Sequence, residues 1–272
     1  MESKQFYKYV FCILVYKNTE DIEECISSIR KNVSEYKVVM VNSFYDQITE
    51  KKFSDIAQVN DADFISVENK GYGYGNNAGI DYIRQKYCFD YVIISNPDVI
   101  IKEFVDLSFD TNVPIAVSPR ITTIRHKNQN PYWIVKNPPA EWMIYFGMKK
   151  KIVLLCYFGY AVNKILRETG LFFMRLTGRN EMKVYAGHGS FILFSRALIY
   201  NYEKLYDEKM FLFSEEAYLA HRFEKDHVNT IMVDSIKVEH KEDGSIKISN
   251  IDENSIQRDS VIYYYENKRA KY

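Results

Sequence analysis

Three short stretches of the sequence carry side chains that could hold a metal ion or move a proton. Asp98 lies in SNPDV, and a carboxylate there could bind Mg²⁺ or Mn²⁺, which take oxygen ligands and often share them with a substrate's phosphates. Glu215 and Glu216 are adjacent in FSEEAYLAHRF, where a glutamate could act as a general base. His240 ends IKVEH. Each of these residues also has an ordinary structural explanation. Asp98 could be a turn aspartate, and Glu215 and Glu216 could be acids in the first turn of a helix. His240, like His188 in AGHGSF, could be a hydrogen-bonded surface group.

A fourth stretch, ENKGYGYGNNAGIDYI at 68–83, is rich in glycine and asparagine ahead of an apolar helical pattern. It does not match the dinucleotide fingerprint, because its glycines follow the third predicted strand with the spacing GxGxGxxxG, and it lacks the GK[ST] of a P-loop. Two interpretations stay open. The stretch could simply begin a helix, or its glycines could let the backbone approach a ligand while Asn76 and Asn77 offer amides at a helix N-terminus.

The elements that must position these residues alternate between strand and helix over the first hundred residues. Continuous apolar runs predict buried strands at 8–16, 36–43, 63–68 and 90–99. A helix is predicted over 18–31 with an apolar stripe from Ile22 to Ile29, and another helix follows the glycine-rich stretch. This order predicts a mostly parallel sheet, in which ligands bind beyond the carboxyl ends of the strands, where Asp98 lies.

Residues 120–184 break this alternation. They begin as a proline-containing loop and continue as an apolar, aromatic and basic segment, with eight Lys or Arg against three Glu from 141 to 183. This segment could be an amphipathic surface that lies on an anionic membrane, or a pair of helices packed on the domain or at a homodimer interface. Strand and helix patterns return from 185. We therefore predict a first half over 1–119, a helical insertion over 120–184 and a second half over 185–272.

Composition and charge narrow the class of protein. The chain of 272 residues has 36 Lys and Arg against 36 Asp and Glu, so its overall charge gives no reason to expect nucleic acid binding. The four cysteines form no CxxC pair, which argues against a disulfide framework and a zinc site and favours a reducing cytosol. The opening MESKQFYKYVFCILVY is charged and its apolar run is short, so we expect neither a signal peptide nor a membrane span there.

The order of these features resembles that of one enzyme family over about residues 8–118 and 185–270. Strand, helix, NKGYGYGNNAGI, a strand ending in NPDV, a helix beginning in SEE, a strand ending in His240 and a helix containing SVIYYYENK follow one another. This succession resembles the family 2 glycosyltransferases with a GT-A fold, particularly the rhamnosyltransferase-like branch of bacterial polysaccharide synthesis. NKGYGYGNNAGI is similar to the family's N-x-G-[FY]-G-x-G-N-N-x-G-I segment, and VEHKEDGS is similar to its H-x-x-x-x-S piece, which ends at Ser245.

The resemblance implies a GT-A-type, Rossmann-like α/β fold and a role for each matching residue. Asp98 corresponds to the metal ligand of a DxD-type motif and His240 to a late histidine near the metal or diphosphate, so Mg²⁺ or Mn²⁺ is the implied cofactor. Glu216 takes the place of the family's base aspartate, with Glu215 beside it. The implied donor-binding residues are Tyr16, Asn42, Asn69, Gly71, Gly75, Asn76, Asn77, Asn96 and Arg222. Asn42 stands where the family usually has an aspartate that reads the nucleotide base, unless the register is shifted by one residue.

The implied activity is the transfer, with inversion, of a hexosyl or deoxyhexosyl group from a UDP- or dTDP-linked donor to a saccharide acceptor. The acceptor could be polyprenyl-linked, and the pathway is capsule, O-antigen or cell-wall polysaccharide synthesis. The implied location is the cytoplasm, or the inner face of the plasma membrane as a peripheral protein.

Two other classes of function stay open. A catalytically weak or inactive sugar-nucleotide-binding partner subunit would keep the fold. A nucleotidyltransferase would share the sheet and the metal, although VYKNTED after the first strand lacks the glycine-rich basic loop expected there.

Overall fold

The sheet begins with the strands that the apolar runs predict. In the computed structural model, which describes residues 4–241 and 253–269, these strands are β1 (Gln5–Val15), β2 (Tyr36–Ser43), β3 (Asp63–Val67) and β4 (Tyr87–Ser95). They pair in parallel in the order β3–β2–β1–β4. The parallel arrangement predicted for the first hundred residues is therefore confirmed.

Five further strands complete a nine-stranded sheet within the described residues. They are β5 (Val99–Phe104), β6 (Ile115–Thr123), β7 (Glu181–Val184), β8 (Phe191–Ser195) and β9 (Asn229–His240). From β4 the order continues β8–β6–β9–β5, and β7 also pairs with β9. Only β5, β7 and β8 run against the direction of the other strands in this described sheet. The sheet as a whole is mostly parallel.

Helices cover both faces of this sheet. They are α1 (Asp21–Asn32), α2 (Gln47–Val59), α3 (Tyr72–Lys86), α4 (Pro138–Lys150), α5 (Val153–Leu176), α6 (Arg196–Asn201), α7 (Glu215–Lys225) and α8 (Glu253–Tyr264), which continues as a π-helical turn over Tyr265–Arg269. Helices α1 and α2 contribute to the hydrophobic core on one face. Helices α3, α6 and α7 contribute to the core on the other.

Side chains of β1 alternate between these two cores. Phe11 and Ile13 belong to the core beneath α1 and α2. Val10 and Cys12 belong to the core beneath α3. All four are fully buried. Because helices cover both faces, a strand at this position needs an unbroken apolar run rather than an alternating one.

Several elements escape prediction for identifiable reasons. Helix α2 buries only Phe53 and Ala57, which is too few to form a clear apolar stripe in the sequence. Strand β6 contains Pro119, and a proline normally argues against an interior strand. In the structure a register shift between Pro119 and Arg120 interrupts the pairing of β6 with β9 at that point, so the strand continues past the proline.

The aromatic and basic insertion contains a hairpin of two helices, α4 and α5. Asn137 caps α4 by accepting a hydrogen bond from the N–H of Ala140 at 3.1 Å. Pro138 opens the helix, where its missing N–H costs nothing. Helix α4 also contacts α8, which attaches the hairpin to the C-terminal part of the chain. The predicted boundary at 119/120 falls inside β6. Among the helices of residues 4–241 and 253–269, none combines the length and apolarity that crossing a bilayer requires.

Candidate active site

The carboxyl ends of the parallel strands border a cavity of about 580 Å³. The predicted site residues in its wall are Tyr16, Asn69, Gly71, Asn96, Asp98, Glu215, Glu216 and His240. Tyr16, Asn69 and Asn96 each lie within two residues of the end of a parallel strand. This is the edge at which open α/β sheets bind their ligands. Ser245, the last residue of the VEHKEDGS segment, lies outside the described residues.

Asp98 and His240 form a buried pair in this wall. The antiparallel ladder between β5 and β9 pairs Val99 with His240, and this register places Asp98 beside the histidine. Nε2 of His240 is 3.3 Å from Oδ1 of Asp98, and Nδ1 of His240 is 2.9 Å from Oε1 of Gln129. Asp98 is only 3% exposed. Its backbone carbonyl accepts a hydrogen bond from the N–H of Lys241 at 3.0 Å. Asp98 is therefore held through its backbone as well as through its side chain.

The chemistry of this pair fits a divalent cation that takes part of its coordination from a substrate. A carboxylate and an imidazole supply one oxygen and one nitrogen ligand, whereas a structural zinc site would need four protein ligands. Within the described part of the chain no group of three or more His, Cys, Asp or Glu residues converges for metal binding. Mg²⁺ and Mn²⁺ suit such a site, since Mg²⁺ is commonly held by one or two carboxylates plus phosphate oxygens and water.

Glu215 and Glu216 enter the cavity from the start of α7. The two residues before the helix, Phe213 and Ser214, both have left-handed backbone conformations, with φ of 72° and 71°. Such conformations are uncommon outside glycine and cluster at functional sites. They turn the chain sharply into α7. Oε1 of Glu216 accepts a hydrogen bond from the backbone N–H of Gly189 at 3.1 Å.

Burial raises the pKa of both glutamates. The pKa of Glu215 rises to about 8, chiefly because its carboxyl is desolvated and secondly because the charge of Glu216 lies nearby. Oε1 of Glu215 has no hydrogen-bond partner among the described residues. Desolvation also raises the pKa of Glu216, and the Gly189 N–H opposes the rise by stabilising the carboxylate. At neutral pH the pair therefore holds a proton, which resides mainly on Glu215.

We expect Glu215→Gln to stabilise the fold at alkaline pH. Because the folded pKa of about 8 exceeds the ordinary value of 4.5, the contribution of Glu215 to stability is complete below pH 4.5 and is lost as the pH rises to about 8. Each unit of that shift corresponds to about 1.4 kcal/mol. The melting temperature of the variant should equal that of wild type at pH 4.5 and exceed it by several degrees at pH 8. A difference that stays constant over this range would contradict the assignment, and Glu23→Gln on the exposed side of α1 is the control.

Solved structures with the same arrangement of strands and helices are known. Neither a protein-family model nor a curated protein sequence matches the chain. The crystal structure of GalNAc-T7 with UDP, GalNAc and Mn²⁺ matches 89% of this chain and 44% of its own, at 13% identity and a TM-score of 0.58. The mannosyltransferase PcManGT from Pyrobaculum calidifontis, in complex with GDP-Man and Mn²⁺, matches 88% of this chain and 59% of its own, at 13% identity and a TM-score of 0.52. The fold is that of the GT-A glycosyltransferases. This chain spans about half the length of these structures.

Gly71 lies where the glycine-rich stretch contacts the segment that leads into α7, and both segments line the GT-A cavity. Its φ is 107°, and a Cβ added there would lie 2.6 Å from Cα of Phe211. The N–H of Tyr72 donates to the carbonyl of Phe211 at 2.7 Å. The backbone at Gly71 therefore closely approaches the segment that leads into α7. Gly71 also lines the cavity, and its approach to a ligand stays a prediction. In addition, α3 already begins at Tyr72, so most of the predicted loop is helical.

Gly71→Ala should lower the free energy of unfolding by about 2–4 kcal/mol, because a side chain costs about 1–3 kcal/mol at a backbone conformation of φ 107° and ψ 175°, and the clash with Phe211 adds to this cost. Gly178→Ala is the matched control. Gly178 also has a positive φ of 63°, but nothing lies within 4 Å of an added Cβ. Urea unfolding of both variants measures the difference. Equal destabilisation by the two substitutions would show that contact with Phe211 plays no part.

Two predicted donor-binding amides are used by the protein itself. The side-chain oxygen of Asn77 accepts the N–H groups of Leu205 and Tyr206, and its nitrogen donates to the carbonyl of Tyr206 at 2.9 Å. Asn76 is fully buried and donates to the carbonyl of Tyr72 at 3.0 Å. Both lie more than one turn inside α3 rather than at its first N–H groups. The prediction that these amides face a ligand is corrected accordingly.

Three more predicted donor-binding residues lie outside the wall of the GT-A cavity. Asn42 is 1% exposed and donates to the hydroxyl of Ser66 at 3.0 Å, while its neighbour Ser43 lines the cavity. A Cβ on Gly75 would clash with the side chain of Leu14, so this glycine serves helix–sheet packing.

Arg222 is the third. Its Nη1 donates to the backbone carbonyls of Lys204 and Leu205 at 2.7 Å and 3.0 Å, and its guanidinium lies 4.0 Å from the centre of the Tyr202 ring. The arginine is therefore occupied in holding the 202–205 segment against α7. Arg222 lies in the second half of α7, away from the end that enters the cavity. The prediction that it binds the donor is therefore corrected.

His188 is the main cavity residue that sequence reasoning misses. It was expected at the surface, yet it lines the cavity with its ring centre 5.8 Å from that of His240. The N–H of Ser190 donates to Nδ1 of His188 at 3.1 Å, and the N–H of His188 donates to Asn130. Burial lowers the pKa of His188 to about 3, so the ring is neutral at physiological pH. Because Nδ1 accepts this hydrogen bond, the ring N–H of the neutral imidazole lies on Nε2. The available signal is GHGS directly before β8, where glycines flank a histidine at a strand boundary.

Aromatic side chains from the segment before α4, from the hairpin and from the C-terminal helix complete the wall and also escape prediction. They are Tyr132, Trp133, Tyr145, Tyr160, Tyr264 and Tyr265. The SVIYYYENK segment, which carries part of the family resemblance, supplies two of them. The cavity therefore combines a polar floor at the strand ends with an aromatic side formed by the helical hairpin and the end of α8.

Proposed function

We propose that the protein is an inverting family 2 glycosyltransferase that moves a hexosyl or deoxyhexosyl group from a nucleoside diphosphate sugar to a saccharide hydroxyl. One observation carries the proposal: the Asp98–His240 pair and the Glu215–Glu216 pair lie in the wall of the same cavity, at the ligand-binding edge of a GT-A sheet. The transfer requires a group that accepts a proton from the acceptor and a group that offsets charge on the leaving diphosphate. The two pairs match these two requirements.

Glu216 is the proposed general base. The Gly189 N–H holds one of its carboxylate oxygens, which fixes the orientation of the group and leaves the second oxygen to accept a proton. Its raised pKa brings the carboxylate closer to the operating pH, where a general base works best. Glu215 is more deeply buried, at 5% exposed, and holds its proton at neutral pH. The order of proton affinities therefore favours Glu216 over Glu215 for this role.

Asp98 and His240 are the proposed ligands of Mg²⁺ or Mn²⁺. The bound cation would supply positive charge next to the departing diphosphate. The GalNAc-T7 and PcManGT structures both contain Mn²⁺ together with a nucleotide or nucleotide sugar. His188, neutral and carrying its ring N–H on Nε2, adds an uncharged donor to the same wall.

Tyr16 is the proposed contact for the nucleotide base of a UDP- or dTDP-linked donor. Its ring meets that of Tyr45 edge to face at 5.8 Å, and the ammonium of Lys17 lies 4.0 Å from the centre of the Tyr45 ring. An aromatic surface of this kind suits stacking of a planar base, and the lysine adds positive charge for phosphate. Asn69 and Asn96 supply polar groups further along the strand ends.

The resemblance to the rhamnosyltransferase-like branch supports a place in bacterial capsule, O-antigen or cell-wall polysaccharide synthesis on the cytoplasmic side of the membrane. Within that proposal the acceptor is a saccharide, with or without a polyprenyl carrier. The division into residues 1–119, 120–184 and 185–272 separates the proposed donor half, the insertion and the acceptor half.

Incubation of the chain with a panel of nucleotide sugars and Mn²⁺, with and without saccharide acceptors, tests the function. We expect release of nucleoside diphosphate with one donor and loss of release when Mn²⁺ is removed. Donor binding without release would identify a catalytically inactive binding subunit. Release of pyrophosphate from a nucleoside triphosphate and a sugar phosphate would identify a nucleotidyltransferase.

A further inference from the structure

The outer face of the α4–α5 hairpin is unusually apolar for a surface exposed to water. Along α5 the side chains of Leu154, Phe158, Ile165, Phe172 and Leu176 are between 57% and 68% exposed. They recur at intervals of four or seven residues, which places them in one stripe along the helix. We define the hairpin outer face as this stripe together with the exposed basic residues of the segment 149–179.

The sizes of the side chains in the first half of α5 are inverted relative to an ordinary surface helix. The buried residues there are Cys156, Gly159 and Asn163, which are small or polar, and large buried apolar residues, Leu171 and Met174, come only near the end of the helix. Leu154 and Phe158 face outward in that first half. An ordinary amphipathic helix buries its large apolar residues because each contributes about 1.5–3 kcal/mol when removed from water. The pattern of α5 therefore indicates that something other than water covers its outer side.

Positive charge surrounds this apolar stripe. Lys150, Lys151, Lys164, Arg175 and Arg179 are all exposed, and none forms an ion pair with a residue in the described ranges. The exposed acid on this part of α5, Glu168, is already engaged by Asn128 and Arg167. Basic residues around an apolar helical face are the combination that binds anionic lipid surfaces. A symmetric contact between two copies would instead oppose these cations to one another.

We propose that the hairpin outer face docks on the surface of a lipid bilayer that contains anionic lipids. The stripe enters the boundary between headgroups and acyl chains, and the lysines and arginines contact the headgroups. In this proposal α5 lies along the surface of the bilayer and does not cross it. Ile144 and Tyr145 of α4 and Tyr160 of α5 line the cavity, so the docked hairpin carries one wall of the cavity to the lipid surface. The docking is independent of the proposed transfer reaction.

Flotation of the full chain with vesicles tests the docking. We expect the chain to float with vesicles of phosphatidylcholine and phosphatidylglycerol, to remain at the bottom with phosphatidylcholine alone, and to dissociate as NaCl is raised. Lys150→Gln with Lys164→Gln should lower the partition coefficient by about 25-fold, roughly fivefold for each lysine. Leu154→Gln, Phe158→Gln and Phe172→Gln together should lower it by on the order of 100-fold or more.

Matched variants elsewhere on the surface separate docking from general changes in charge or hydrophobicity. Lys51→Gln with Lys52→Gln removes two exposed lysines from α2, and Ile48→Gln with Val59→Gln removes two exposed apolar side chains from the same helix. Both controls should float like the wild-type chain, and circular dichroism should show the same fold for all variants. Wild-type chain that fails to float, or that binds both vesicle types equally, would overturn the proposal. A different result would identify a second copy of the chain as the occupant. In that case the wild-type chain would be a dimer that does not float, and the apolar triple variant would be a monomer.

Discussion

A Glu216→Gln variant should transfer sugar about 10²- to 10⁴-fold more slowly than the wild-type chain, because a positioned general base contributes about that much to a rate. The amide has nearly the same shape as the carboxylate, and its oxygen can still accept the Gly189 N–H that Glu216 accepts at 3.1 Å. The fold should therefore be unchanged, and the melting temperature should not fall below that of the wild-type chain, because burial disfavours the Glu216 carboxylate. Release of nucleoside diphosphate from the active donor measures the rate.

The neighbouring glutamate provides the sharpest comparison. Glu215→Gln should reduce transfer much less than Glu216→Gln, since Glu215 is already neutral at neutral pH and the variant only removes its proton affinity. Activity of the wild-type chain should fall as the pH drops through the raised pKa of Glu216, at a higher pH than for a solvent-exposed glutamate. Glu23→Gln is the surface control. If Glu215→Gln abolished transfer and Glu216→Gln did not, the roles of the two residues would be reversed.

Asp98→Asn should lower transfer on the order of 10³-fold, because a bound metal ion stabilises transition-state charge by several kcal/mol and the amide weakens its binding. Calorimetry gives a second measurement that does not depend on turnover. Mn²⁺ should increase the affinity of the wild-type chain for the active nucleoside diphosphate and should have little effect on the affinity of the variant. Asparagine has nearly the same size as aspartate, so the melting temperature of Asp98→Asn should stay close to that of the other variants.

Asp55→Asn, on the exposed side of α2, removes one carboxylate far from the strand ends and is the matched control. It should bind nucleotide and Mn²⁺ as the wild-type chain does. An Asp98→Asn variant that kept the Mn²⁺ dependence of nucleotide binding would exclude Asp98 as a ligand, whatever its rate of transfer. His240→Asn should weaken the same dependence, because the imidazole lies 3.3 Å from the Asp98 carboxylate.

The sequence alone predicted an element correctly where its local pattern is stable in only one kind of structure. The apolar run of β1 is stable only when both faces of the strand are covered, so it predicts a buried parallel strand. Asp98 and His240 come at the ends of strands, and in a mostly parallel sheet such ends meet at one edge. The order of strands and helices was therefore enough to predict a mostly parallel α/β sheet, and the family resemblance singled out Asp98 and His240, which the structure places in the wall of the cavity.

Only the tertiary structure decided which of the remaining polar and glycine residues face that cavity. Asn77 pairs with Leu205 and Tyr206, well over a hundred residues later, and Gly71 meets Phe211. His188 lines the cavity, and its backbone N–H donates to Asn130, 58 residues earlier in the chain. A side chain's residue type shows which hydrogen bonds it can make, but its partner is chosen by how distant segments pack. The glycine-rich stretch showed only that its backbone could come close to another group, and the packing of the 206–211 segment determined that Gly71 contacts the backbone of Phe211.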